Sequence, residues 1–260
     1  MRLSETIPKW VLASDIDNTL TGDESALRRL GRRVQSLRQA GRLFLILSTG
    51  RRLVQVLDGH ESEGIPHGDA IVSQVGTEIY LPPFSADMDP LPEWDRHLRA
   101  EFSRQEAESF LDGIEGLSMQ PAKYNTRLKV SCYLDEAPDP EAAARSIRQR
   151  VAEAGKDDVY QVIWSSGRDL DIIPAAAGKG KAIRFVLGFL DLVPGQIIVA
   201  GDSGNDRTMF EEFTYGIIVA NAQPELKALP DTAADDHYRA QKPYAAGVAE
   251  GLRHFGVLSE

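Results

Sequence analysis

The chain has 260 residues, of which 42% are hydrophobic and 26% charged, with a formal net charge of −10. That length suits one large domain or a core with a smaller second unit. An acidic chain gains little from approaching a polyphosphate backbone, which argues against nucleic acid as a partner, and no window approaches the roughly 20 apolar residues of a membrane span.

Cys132 is the one cysteine, so no intrachain disulfide can form, which fits a reducing compartment. The N-terminal MRLSETIPKW holds no apolar stretch of signal-peptide length. A cytoplasmic protein with no membrane partner is the expectation.

Five apolar runs follow along the chain: Val11–Ala13, Leu43–Leu47, Ala70–Val72, Ile197–Ala200 and Ile217–Ala220. Runs apolar on both faces and bounded by turn residues suit buried parallel strands. Helical spacing lies between them, as in Leu27, Leu30, Val34 and Leu37, and again in Ile183, Val186, Leu187 and Leu190. Strands alternating with helices predict an α/β doubly wound sheet.

The middle of the chain differs. Residues 82–92 are rich in proline and acids and read as a linker. Beyond them a helix is predicted near Trp94–Phe110, another over Glu141–Ala154, and strands over Leu128–Leu134, Val159–Trp164 and Leu170–Ile173. This predicts an α/β core formed by residues 1–83 and 175–260, interrupted by an inserted α+β unit over 84–174. Ligands of open α/β sheets bind beyond the carboxyl ends of the strands, where such an insert would act as a lid and a specificity surface.

Four polar clusters follow the apolar runs or precede a helix. The first, Asp15-Ile16-Asp17-Asn18-Thr19, sets two carboxylates at a strand end, which is costly unless something positive joins them. Magnesium prefers such oxygens, with phosphate completing its shell. The second, Ser48-Thr49-Gly50-Arg51, offers a hydroxyl and backbone N–H groups to phosphate oxygens. Lys179, in Ala177–Lys181, could neutralise phosphate and a nucleophile together. The fourth, Gly201-Asp202-Ser203-Gly204-Asn205-Asp206, suits a cation. Taken singly, each is also explained by an ordinary turn, a helix cap or a solvated charge.

Together and in this order, DIDNT, STGR, GKGK and GDSGND resemble the motifs of haloacid dehalogenase-type phosphatases. The stretches VGTEIY, SSGRDLDIIP, NAQPEL and HYRAQ resemble sucrose-phosphate phosphatases, and the related mannosylfructose-phosphate phosphatases share much of the pattern. Leu128 stands before Lys129 where those sucrose enzymes are expected to carry an aromatic residue.

The resemblance implies a magnesium-dependent hydrolase of a disaccharide phosphate, most simply sucrose 6-phosphate. Asp15 is then the nucleophile and Asp17 the general acid and base. Thr49, Gly50, Lys179 and Asn205 handle phosphate. Asp15, Asp17 (through its backbone carbonyl), Asp202 and Asp206 hold the metal, and Glu78, Lys129 and Asp169 reach the sugar. A cognate synthase is an implied partner. A mannosylfructose-phosphate phosphatase or other sugar-phosphate phosphatase is the nearest competing reading; a catalytically silent synthase-binding domain and a phosphomutase are the others.

Overall fold

The expected runs become strands because each is apolar on both faces. In the computed structural model, which describes residues 8–98, 102–230 and 236–259, β1 (Trp10–Ser14) is buried throughout. It leads into α1 (Glu24–Gln39), which starts where the Asp23 side chain accepts the Ala26 N–H at 3.0 Å. Ala26, Leu27, Leu30 and Val34 form the buried stripe of this helix. Next come β2 (Leu43–Ser48), α2 (Leu53–Ser62), β3 (Ala70–Ser73), β4 (Glu78–Tyr80) and α3 (Pro92–Leu98).

The inserted part comprises α4 (Arg104–Ser109), β5 (Ser118–Met119), β6 (Val130–Tyr133), α5 (Pro140–Glu153), β7 (Tyr160–Ser165) and β8 (Asp169–Pro174). The chain then returns through α6 (Lys179–Phe189), β9 (Gln196–Gly201), α7 (Arg207–Glu212), β10 (Tyr215–Ile218), α8 (Pro224–Lys227), β11 (Asp236–Arg239) and α9 (Tyr244–His254).

Seven strands form one sheet in the order β11-β10-β9-β1-β2-β3-β4, parallel except for the β3–β4 pair. The chain winds outward from β1 in one direction, then resumes on its other side at β9. The β1/β9 junction is therefore the topological switch point, where open α/β sheets place their ligands.

The second sheet, β5-β6-β8-β7, is antiparallel and two-faced. Val130, Cys132, Leu170 and Ile172 point to one side and join Ile147 and Val151 of α5 in a separate apolar cluster. Ser131, Tyr133, Asp169 and Asp171 alternate with them and point the other way. Residue period 2 thus gives this small sheet one dry face and one mixed face, where these polar side chains stand beside Ile163 and Ile173, which pack into the first core.

Two expectations need correction. The helix drawn near Trp94–Phe110 is two helices, α3 and α4, with 99–101 outside the described residues. Moreover, α3 belongs to the first core rather than to the insert. Trp94 is buried there, its ring 4.9 Å from that of Phe185 on α6, and its Nε1 donates to the Gly76 carbonyl at 3.1 Å. The edge strands β4, β5 and β11 were not anticipated. The N-terminal reading from residues 1–7 lies outside the described residues. Among the described residues, no helix is long and apolar enough to cross a membrane.

Candidate active site

β1 ends at Ser14, and the Asp15 N–H, donating to the Ala200 carbonyl of β9 at 2.9 Å, continues the ladder. This fixes the Asp15 backbone at the switch point. Its carboxylate is buried and receives a hydrogen bond from Lys179 Nζ at 2.6 Å. Lys179, fully buried in the first turn of α6, also donates to Asp206 Oδ1 at 2.6 Å. The other oxygen of Asp206 accepts the Asp202 and Ser203 N–H groups at 2.9 and 3.1 Å. One ammonium thus joins two buried carboxylates, and one of those carboxylates folds the loop after β9.

The electrostatics follow from crowding. Burial pushes the Asp15 carboxyl well above the usual carboxylate range; Lys179 pulls it down, while Asp206, Asp202 and Asp17 push it up. Burial, reinforced by Asp206, raises the Asp202 pKa to about 7. Burial alone would lower the Lys179 pKa, but Asp15 and Asp206 outweigh it and hold the amine protonated.

Asp15, Asp202 and Asp206 can each bring an oxygen within 4.8 Å of the others. Thr19 Oγ1 donates to Asp202 Oδ1 at 3.2 Å, whereas Asp202 Oδ2 and the Asn205 side-chain oxygen are buried acceptors without a partner. Unpaired buried oxygens beside a carboxylate cluster are the donor set a hard divalent cation requires. The residues fit a metal ion, with Asp15 and Asp202 the freest to ligate. Asp206, expected as a ligand, has both oxygens already held. The Asp17 carboxylate lies outside the cluster. It is half-exposed and clasped by Arg51, whose Nη2 donates to Oδ1 at 2.7 Å and whose Nε lies 3.0 Å from Oδ2. Arg51 is itself held by Glu63.

The cleft above these groups encloses about 330 Å³ between the two sheets. One wall carries Asp15, Asp17, Gly50, Arg51, Asp202 and Asn205; the facing wall carries Gln120, Lys129, Tyr133, Ser165, Asp169 and Asp171. Lys129 and Asp171 are buried 3.4 Å apart, and Gln120 Nε2 donates to Asp169 Oδ1 at 2.9 Å. Burial, followed by the charge of Asp171, pushes the Asp169 carboxyl upward.

The structure therefore brings Asp15, Asp17, Gly50, Asn205, Asp202, Lys129 and Asp169 to one cleft. Lys179 and Asp206 stand directly behind it. Thr49 does not line it: fully buried, its hydroxyl accepts the Arg51 N–H at 3.1 Å, which shapes the loop under Gly50. Glu78 is not there either. Its carboxylate accepts from Ser73 and Tyr80, and it borders a different recess with Asp89 and Arg127. Two aromatic side chains, Tyr124 and Tyr133, border the cleft, with the Arg168 guanidinium 4.1 Å from the Tyr133 ring centroid; Tyr80 and Trp164 pack elsewhere. Gln120 and Asp171 were missed. The alternation in 130–133 and 169–172 was the signal that could have found Asp171.

The family model for sucrose-6F-phosphate phosphohydrolase matches residues 8–256. The sucrose-phosphatase structure from Synechocystis sp. PCC6803, in complex with sucrose and phosphate, is 34% identical, superposes with a TM-score of 0.87 and matches 97% of this chain and 100% of that one. Mannosylfructose-phosphate phosphatase of Agrobacterium fabrum is 34% identical over 253 residues, covering 96% of this chain and 98% of that enzyme. Sucrose-phosphatase 1 of Nicotiana tabacum is 29% identical over 96% of this chain, which spans only 60% of that longer protein. The switch-point aspartates, the buried lysine and these matches have one meaning: this chain belongs to the sucrose-6F-phosphate phosphohydrolase family of haloacid dehalogenase-type phosphatases.

Proposed function

We propose that the chain hydrolyses the phosphate ester of a disaccharide, sucrose 6-phosphate first among them, with Asp15 as nucleophile and magnesium as the metal. The observation that carries this is the pairing of Asp15 with Lys179 on one side of a cleft whose other wall is a polar sheet face. The metal, held by Asp15 and Asp202 with the Asn205 side-chain oxygen beside them, would supply the positive charge that lets two anions meet.

Asp15 attacks phosphorus and the bond from phosphorus to the sugar oxygen breaks. Asp17 gives its proton to that leaving oxygen. For this it must exchange its contact with Arg51 for the substrate, which its half-exposed position allows. Water then attacks the aspartyl phosphate. Asp17 takes up the water's proton, and phosphate leaves Asp15 free. The Lys179 ammonium offsets charge on Asp15 throughout, and Gly50, on the loop braced by Thr49, approaches the phosphoryl oxygens. Asp206 acts by holding Lys179 and the loop of Asp202. Lys129, Asp169 and Asp171, with Gln120, present alternating charge and amide to sugar hydroxyls.

A mannosylfructose phosphate is the second reading, favoured by the 34% identity to the Agrobacterium enzyme across nearly its whole length. Phosphate release with magnesium from a panel of sucrose 6-phosphate, mannosylfructose phosphate and hexose phosphates decides between them. A preference for sucrose 6-phosphate supports the first reading; a preference for mannosylfructose phosphate replaces it. No release from a folded protein returns the silent synthase-binding reading. A cytoplasmic setting and a synthase that delivers the substrate belong to the same proposal, and co-elution with the synthase tests the partner.

A further inference from the structure

The stretch Asn221–Leu226 is left unexplained by phosphate chemistry, yet it touches both walls of the cleft. At one end, Asn221 Nδ2 donates to the carbonyl of Asn18, in the turn that follows Asp15 and Asp17, at 2.7 Å, and Asn221 Oδ1 accepts the Tyr244 N–H at 2.9 Å. At the other end, Glu225 Oε1 accepts the backbone N–H of Ser166 at 2.8 Å.

Ser166 stands at the tip of the β7–β8 hairpin with φ 57, followed by Gly167 with φ 65. A left-handed serine is unfavourable by itself and needs surroundings that hold it. Ser165, Ser166 and Asp169 of this hairpin line the cleft, whereas Glu225 does not. The approach of the hairpin to the core is close. A Cβ on Gly204, in the loop between Asp202 and Asp206, would fall 2.3 Å from the Trp164 carbonyl oxygen. Backbone therefore rests on backbone at Gly204, and a charge-assisted hydrogen bond fastens the tip beside it.

We propose that Glu225 is a positioning residue, a latch that holds the β7–β8 hairpin down so that the polar wall closes over a bound disaccharide phosphate. The latch rests on the proposed substrate class, because a small leaving group does not need that wall. It also couples the two walls: the stretch that fastens the hairpin is the one that touches the turn carrying Asp17.

The test compares Glu225→Ala with Glu225→Gln, which keeps an oxygen acceptor, in the full chain. Hydrogen–deuterium exchange is followed in the peptide containing Ser166, and melting temperature monitors the fold. In Glu225→Ala the Ser166 amide should exchange about tenfold faster, and in Glu225→Gln at nearly the wild-type rate. The KM for sucrose 6-phosphate should rise about five- to tenfold in Glu225→Ala with kcat nearly kept, while kcat/KM for p-nitrophenyl phosphate moves by less than about twofold. Unchanged Ser166 exchange in Glu225→Ala, or equal losses on both substrates, overturns the latch. A wild-type enzyme that cleaves p-nitrophenyl phosphate but no disaccharide phosphate overturns the substrate reading instead. The two failures are thus distinguishable.

Discussion

The two walls of the cleft are built on opposite plans. On the core wall, Asp15 is fixed by strand pairing, Lys179 is fully buried, and Asp206 spends both oxygens on its neighbours. On the insert wall, Tyr133 and Asp169 project from a sheet that keeps a separate apolar cluster on its other face. Chemistry common to all phosphate esters sits where side chains cannot move without cost. On the proposed function, contacts that differ between substrates sit on the insert wall. Changes on the core wall should cost turnover or folding, and changes on the insert wall should cost substrate discrimination.

Asp15→Asn should break this comparison most severely, lowering turnover by about 10⁴-fold or more while circular dichroism shows the fold intact. A labelled phosphoryl group trapped on that variant would remove Asp15 from the nucleophile's role. Lys179→Ala comes next. It strands two buried carboxylates, and urea unfolding should register a loss of about 3–5 kcal/mol. A loss below about 1 kcal/mol would mean that the ammonium does not hold the pair.

The pH dependence is smaller and its sign is fixed. The folded, metal-free protein holds the Asp202 proton up to about pH 7, whereas the unfolded chain releases it near about 3.9. Folded protein thus binds more protons in that window, and stability should fall as pH rises from about 4 to about 7. Magnesium requires the ionised carboxylates, so it should raise the melting temperature more at pH 8 than at pH 5. A magnesium effect independent of pH would contradict the site.

Asp169→Asn sharpens the comparison from the insert side. It keeps the fold and should raise KM for a disaccharide phosphate about three- to tenfold, with kcat for p-nitrophenyl phosphate changed by less than about twofold. Equal losses on both substrates would place Asp169 in the chemistry rather than in recognition.

The parts of this plan legible in the sequence were those with a local cause. Five parallel strands were readable because Val11–Ala13 and its counterparts are apolar on both faces, and the aspartates were readable because each follows such a run. Edges were not: β11 spans Asp236–Arg239, polar and partly exposed, and resembles a loop. Trp94 was assigned to the insert because a proline-rich stretch precedes it, while its true neighbour, Phe185, lies 91 positions later. The pairing of Asp17 with Arg51 bridges 34 positions, so no window of sequence contains its cause. Glu78 shared a family-like stretch with the site, but its strand turns it toward Ser73 and Tyr80.

The two-faced insert sheet has a consequence for descent. Val130, Cys132, Leu170 and Ile172 form an apolar cluster on the face opposite Tyr133 and Asp169. On the proposed reading, a lineage can exchange one sugar for another at the polar positions while the apolar cluster and the core-wall aspartates stay as they are. Enzymes for different disaccharide phosphates can then diverge from one ancestor while their hydrolytic machinery stays the same.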